Sequence, residues 1–275
     1  MVHSLPETTQ SFDYVVLAHK AIDQDTVASQ LQSAVDARTT IVIIQNGVGN
    51  EEPFRRLYAD TSIITCVVRP ITWSSLQVGI LMAQTWVGAT QTQPGIVKHT
   101  TSEDLQIGLY GNPSQDDTIE ETRLSTFSSF LTSGKTRFQI LDKTDIQLQR
   151  WEKVVWNAAW NSITTLTMVD TQTWLHSSPS ATTTTRRLMH EVIDVGRACQ
   201  VPLTHTLVDT LVDKILAMPG IGSSMQTDCR NGRPLEVDVI LGVPAQKARE
   251  LGIETPVLEM VYALIQAVDL RLRAS

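Results

Sequence analysis

Between positions 150 and 161 the chain reads Arg150-Trp151-Glu152-Lys153-Val154-Val155-Trp156-Asn157-Ala158-Ala159-Trp160-Asn161. Lys153, Asn157 and Asn161 recur at i, i+4 and i+8, so a helix over this segment lines them along one stripe. At about 100° per residue, Trp156 and Trp160 flank that stripe on one side, Val154 and Ala158 on the other. A solvated helix face is broad and rich in charge, whereas this is a narrow amine–amide–amide line between apolar walls. A desolvated lysine has a lowered pKa, which suits a proton donor near neutral pH. The competing reading is a surface lysine beside two solvent-facing asparagines, and the pattern alone leaves both open.

A second constellation is Ser223-Ser224-Met225-Gln226-Thr227-Asp228, followed by Arg233-Pro234-Leu235-Glu236-Val237-Asp238. At face value Ser223, Asp228 and Glu236 are capping or turn residues. No Ser-His-Asp arrangement is readable. The histidines show no HxH or HExxH spacing, so no metal site is expected; His19, His99, His176, His190 and His205 read as ordinary surface or half-buried residues. Cys66, Cys199 and Cys229 are scattered and form no CxxC, which fits reduced thiols better than a disulfide framework.

The elements that would position these groups fall into two regions. Tyr14–Ala18, Thr40–Ile44 and Ser62–Val68 are short apolar runs that read as buried strands, with a helix-compatible stretch from Asp23 to Asp36 between the first two. Asn50-Glu51-Glu52-Pro53 looks like a helix start, with proline and acidic residues in the first turn. Strand, helix, strand, helix, strand is the mark of an α/β layer with parallel strands. From Thr72 to Gly111, turns at Gly79, Gly88, Pro94-Gly95 and Gly108 predict antiparallel strands. Glu120–Leu131 then reads as a helix and Phe138–Leu141 as a final strand. After Asp142 helices are predicted over about 146–165, 185–198, 205–217, 235–251 and 256–272. The serine/threonine-rich stretch ending at Thr185 has the look of a linker, although Trp174 and Leu175 inside it argue for packing. These patterns divide the chain into 1–141, an α/β domain, and 142–275, a helical one.

The 275 residues carry 22 lysines and arginines against 29 aspartates and glutamates, a net charge of −7. That balance argues against nucleic acid and against an anionic membrane surface as partners. At 42% hydrophobic and 19% charged residues the chain can bury a core. No apolar run reaches the length of a membrane span, and the first residues lack the pattern of a signal peptide, so a cytoplasmic protein is expected. The first glycine is Gly47. A dinucleotide-binding layer opens on strand, G-x-G-x-x-G and helix, because glycine lets the backbone approach a pyrophosphate at the helix N-terminus. The one candidate, Gln45-Asn46-Gly47-Val48-Gly49-Asn50, has Glu52 at its third glycine position, and a tight strand-to-helix turn is the better reading.

Taken together the segments resemble the ketopantoate reductase (2-dehydropantoate 2-reductase) family. The resemblance rests on Val16–Ala21, Ile44–Gly49, Arg150–Lys153 through Asn161, Ser223–Met225 to Asp228, Glu236–Asp238 and Gly252–Pro256, and runs through nearly the whole chain. It implies a Rossmann-like domain followed by a helical domain, with NADPH and a 2-oxo acid held between them. It assigns Lys153 as general acid to the carbonyl oxygen and Glu236 as a second catalytic group. It assigns Asn157, Asn161 and Ser224 to the substrate, and Lys20 and Asn46 to the cofactor side. Three departures stand out. The first βαβ unit with its glycine-rich loop is absent, which makes the Rossmann-like domain a truncated one; Ile221 replaces an asparagine common in the family; and Asp170–Trp174 lacks another.

Three functions follow. The first is a reductase of a 2-oxo acid or related carbonyl, using NADP. The second is a non-redox isomerase, cyclase or lyase that reuses the Lys153, Asn157, Ser224 and Glu236 cleft without nicotinamide. The third is a non-catalytic remnant or interaction protein, in which an uncovered Tyr14–Ala18 strand favours a homo-oligomer. In the first two the partner is a small carbonyl compound.

Overall fold

The computed structural model describes residues 11–70, 89–93, 95–99 and 103–274. They form two compact units: one from residues up to His19 with Asp25–Gln45 and Glu51–Ile146, the other from Lys20–Gln24, Asn46–Asn50 and Gln147 onward. Of the antiparallel strands expected after Thr72, the part up to Gly88 lies outside the described residues.

The first unit is built on a five-stranded sheet. Strands β1 (Tyr14–Leu17), β2 (Thr40–Ile43) and β3 (Ser62–Pro70) are parallel neighbours, in register Tyr14↔Thr40 and Thr40↔Ser62. Helices α1 (Gln24–Gln30) and α2 (Glu52–Leu57) connect them. A separate hairpin pairs β4 (Ala89–Gln93) with β5 (Ile96–His99). Strand β6 (Glu103–Tyr110) runs antiparallel to β3 and, after α3 (Asp117–Ser133), β7 (Phe138–Ile140) lies parallel to β6. The order is therefore β1-β2-β3-β6-β7.

Every residue of β2 is buried, as befits a strand covered on both faces. Its side chains alternate. Val42 packs with Ile64, Ile107, Leu124 and Phe127 on the α3 side, while Ile41 and Ile43 pack with Ala28, Leu31 and Phe54 on the side of α1 and α2. The strand and helix expectations for this half hold, with ends shifted by a few residues.

The second unit is helical: α4 (Lys143–Thr167), α5 (Thr171–Leu175), α6 (Pro179–Ala198), α7 (Thr206–Leu216), α8 (Ser224–Arg230), α9 (Val243–Leu251) and α10 (Pro256–Ala274). Helix α6 is its hub, packed on α5, α7, α9 and α10. The serine/threonine-rich stretch is helix rather than linker. Pro179 opens α6 in the position where a missing N–H costs nothing, and Ala181 and Thr185 turn inward four residues apart while Thr183 and Thr184 face out. The Trp174 indole N–H donates to the Thr185 hydroxyl at 2.9 Å, which ties α5 to α6. Where one helix was expected over 235–251, a π-helical turn, Asp238–Gly242, precedes α9.

All three cysteines are free thiols. Among the described residues no helix is long and apolar enough to cross a membrane, and no cluster of three or more metal-ligating side chains occurs.

Gly108 in β6 is what lets the first turn of α4 lie against the sheet. A Cβ there would stand 2.7 Å from Ile146 Cβ and 3.0 Å from the Leu141 carbonyl. Gly108→Ala is expected to destabilise the protein by about 1–3 kcal/mol through overpacking, read as a lowered urea midpoint at unchanged slope.

Candidate active site

The local geometry begins with a proline. Val243 sends its N–H back five residues to the Asp238 carbonyl, and Pro244, next in line, has no N–H. The Val239 carbonyl is thereby left without a helical donor. It accepts instead from Val48 N–H at 3.0 Å, which pins the turn after β2 onto the π-helical turn. The approach is so close that only glycine fits at position 47. Its φ is +90°, and a Cβ would lie 2.4 Å from that same carbonyl oxygen. At Gly49, whose φ is +75°, a Cβ would lie 3.0 Å from the Val243 methyls. Arg150, buried on α4, donates to the Gly47 carbonyl at 2.6 Å, and the Asn50 amide donates to the Asn46 carbonyl at 2.8 Å.

This turn aims Asn46 at Glu236. The Asn46 amide donates to Glu236 Oε2 at 3.2 Å, and the Ala21 backbone N–H donates to Oε1 at 3.0 Å. Lys20 Nζ lies 3.5 Å from Glu236 and 2.6 Å from Asp228, whose other oxygen takes Arg233 at 2.8 Å. Both carboxylates are buried, and a buried charge persists only when paired. Two carboxylates face two cations, so the cluster is neutral. Burial pushes the Lys20 ammonium down, but Glu236 and Asp228 together outweigh it and hold the pKa above the ordinary lysine value. Lys20 is thus a fixed cation at neutral pH and a poor proton donor.

The stripe on α4 is different. Trp156, Trp160, Val154 and Ala158 are buried as the apolar walls expected of them, and Lys153 is half-buried between. Asn157 and Asn161 are only 8% and 5% exposed, which overturns the solvent-facing reading. Neither amide has a hydrogen-bond partner among the described residues. Neither amide is among the fully enclosed orphan groups, so both still reach solvent. Their capacity stays available to something that enters.

The stripe ends where α8 begins. Thr164, three residues beyond Asn161, donates to the Ser223 hydroxyl at 2.8 Å, and the Gln226 amide reaches the carbonyls of Thr164 and Val169, each at 2.9 Å. Ser223 is a true N-cap, accepting from Gln226 N–H at 3.0 Å. Ser224 opens α8 and is exposed.

The structure thus gathers Lys20, Asn46 and Glu236 in one cluster, and sets Lys153, Asn157 and Asn161 along α4 with Ser224 at the start of the helix anchored to its end. Asp228 and Glu236 are not caps, since their carboxylates serve the ion cluster. Asp228 and Arg233 were missed as members of that cluster. Their spacing to Glu236 is visible in the sequence, but the cation that gives it meaning, Lys20, lies 208 residues from Asp228.

The turn Gln45–Asn50 does not fit a pyrophosphate. The sides of both glycines are filled by Val239 and Val243, and the helix that follows it is one of six residues opening on Glu52.

A protein with this sheet and helical second unit falls in the class of Rossmann-like folds with a helical companion domain. Models of the ketopantoate reductase PanE/ApbA family match residues 2–112, and of its C-terminal region residues 145–269. The chain belongs to this family. A 2-dehydropantoate 2-reductase of Nostoc is 25% identical over 261 residues, spanning 95% of this chain and 75% of the relative. The crystal structure of 2-dehydropantoate 2-reductase from Methylococcus capsulatus superposes with a TM-score of 0.78 at 27% identity, covering 100% of this chain and 80% of that one. A structure described as a dimeric ketopantoate reductase from Staphylococcus aureus has a TM-score of 0.72 at 21% identity, covering 96% and 80%.

Two tests follow. Gly47→Ala meets both the positive φ and the Val239 carbonyl, and is expected to lose roughly 2–4 kcal/mol of stability in urea unfolding. For Lys20 the raised pKa means that its pairing stabilises the fold at every pH below the ordinary value of 10.5 and is lost as pH climbs past the folded-state value. The stability gap between the wild type and Lys20→Met should therefore stay constant from pH 7 to 10 and narrow above that; a gap independent of pH up to 12 would contradict the pairing.

Proposed function

We propose that the protein is a carbonyl reductase of the ketopantoate reductase type, acting on a 2-oxo acid with NADPH as reductant. The observation that carries this is the pair of largely buried residues Asn157 and Asn161, whose amides have no side-chain partner among the described residues and lie on α4 beside Lys153. Amide N–H groups and an ammonium are donors suited to a carboxylate and an adjacent carbonyl oxygen. In this reading Asn157, Asn161 and the Ser224 hydroxyl hold the substrate. Lys153 gives its proton to the carbonyl oxygen as the carbon is reduced. Glu236, held by Ala21 N–H, Asn46 and Lys20, fixes the far side of the site as a second catalytic carboxylate. Lys20 and Asn46 stand on the cofactor side. Because Gln45–Asn50 does not fit a pyrophosphate, no step is assigned to the dinucleotide through that turn. Family membership also supports self-association into a homo-oligomer, given the dimeric relative.

The test is calorimetric titration of the purified chain with NADPH and with NADH, followed by a spectrophotometric screen of branched 2-oxo acids. Micromolar NADPH binding with turnover supports the reductase. Lys153→Ala should then lower kcat by about 10²–10⁴-fold, and Asn157→Ala or Asn161→Ala should cost roughly 10–100-fold in kcat/KM. Absence of binding at millimolar cofactor would end this reading. Turnover without nicotinamide that Lys153→Ala abolishes would replace it with isomerase, cyclase or lyase chemistry.

A further inference from the structure

A helix packed on a core turns apolar residues inward. Helix α10 departs from this once: its buried residues are Leu258, Ile265 and Asp269, which share one face at spacings of seven and four. A buried carboxylate persists only when its charge and lone pairs are answered. Asp269 is answered twice. Its Oδ2 takes Arg273 Nε at 2.6 Å, one turn along the same helix, and its Oδ1 accepts the Leu235 backbone N–H at 2.7 Å. The second bond leaves the helix and ends beside Glu236.

Residues 233–236 need such a tie. They lie between α8 and the π-helical turn and belong to neither helix nor strand, so no repeating ladder fixes them. Arg233 N–H bonds to the Asp228 carbonyl at 2.9 Å, Pro234 has no N–H, and Leu235 N–H is the next donor along. One residue further, the Glu236 carboxylate must meet the Ala21 N–H, the Asn46 amide and Lys20 Nζ together. Three partners at set positions leave the backbone before Glu236 little freedom to turn.

The helix that supplies Asp269 is itself anchored. At its start, Val257 and Leu258 donate their N–H groups to Glu191 Oε2 of α6 at 2.9 and 2.8 Å, and Arg187 balances that carboxylate at 3.3 Å. Asp269 stands about 16 Å further along α10 than Leu258. Two buried acids, each with an arginine one turn away on its own helix, thus tie the hub helix α6 to the segment that carries Glu236.

We propose that Asp269 is a positioning residue for Glu236: through the Leu235 N–H it holds the Glu236 carboxylate against Ala21, Asn46 and Lys20. The effect of this tie on turnover rests on the reductase reading above; the tie itself does not.

Two readouts on the full chain separate those statements. The first is amide exchange by NMR, taken as the ratio of the Ala21 rate to that of Val192, buried in α6, which discounts a change in global stability. Asp269→Leu removes the acceptor and should raise the ratio about tenfold, whereas Asp269→Asn, which keeps an oxygen there, should stay within about twofold. Asp269→Glu keeps the charge but displaces the acceptor by a methylene, and should raise the ratio about fourfold. A ratio unmoved by Asp269→Leu, or by Asp269→Glu where the leucine variant does not fold, overturns the proposal. The second readout is kinetic. Asp269→Leu should lower kcat for a 2-oxo acid about tenfold with KM within about threefold, Asp269→Asn should recover it, and the loss should vanish in a Glu236→Ala background. A loss that persists undiminished in that background overturns action through Glu236. A raised exchange ratio in a chain that reduces no 2-oxo acid overturns the reductase reading and supports the tie.

Discussion

Pro244 cannot donate a hydrogen bond, and the arrangement of the ion cluster follows from that one deficit. A π-helical turn ends against it, the Val239 carbonyl is left over, and an unsatisfied buried carbonyl costs about 1–3 kcal/mol. Val48 supplies the missing donor. Once that bond is made, position 47 has room only for glycine, the Asn46 side chain is aimed at Glu236, and Glu236 in turn takes the Ala21 N–H and the Lys20 ammonium. A helix without the proline would close its own hydrogen bonds and have nothing to offer the turn after β2.

Two kinds of polar chemistry stand side by side in the second unit. In the ion cluster every charge is answered: Asp228 by Lys20 and Arg233, Glu236 by Lys20, Asn46 and a backbone N–H. Such a cluster is stiff, because moving one member strands a buried charge. On α4 the amides of Asn157 and Asn161, in largely buried residues, have no side-chain partner among the described residues. The closed network holds geometry; the open one keeps hydrogen-bonding capacity for a ligand. A lysine stands near each, and their surroundings differ. Lys20 is locked as a cation, whereas Lys153 lies between indole and aliphatic walls.

Much of this was legible in the residues. The three β-branched runs, the lysine–amide stripe with its apolar flanks and the Ser223 cap all follow from spacing alone, because each depends on neighbours within a few positions. The tight-turn reading of Gln45–Asn50 also holds, although the reason for its glycines was not visible. They meet Val239 and Val243, almost two hundred residues on. The π-helical turn was hidden inside a periodic pattern over 235–251, where the interior Pro244 was the available sign that the helix could not run regularly. The polar run before Thr185 looked like a linker because its outward residues, Ser180, Thr183 and Thr184, outnumber the two inward positions that set the helix face. Asp228 read as a local turn residue because a carboxylate's partner is a matter of fold, and Lys20 sits at the other end of the chain.

The two short segments Lys20–Gln24 and Asn46–Asn50 belong to the second compact unit although they are made among the first fifty residues. Ala21 and Lys20 must wait for Glu236, which is 215 and 216 positions later. During synthesis the strands of the first unit can pair early, but these segments find their partners only once Asp228, Glu236 and Val239 have been made. Contacts of such long sequence separation slow folding and lengthen the life of partly formed species. The ion cluster therefore cannot close before the segment from Asp228 to Glu236 has been made and has folded back onto Lys20 and Ala21.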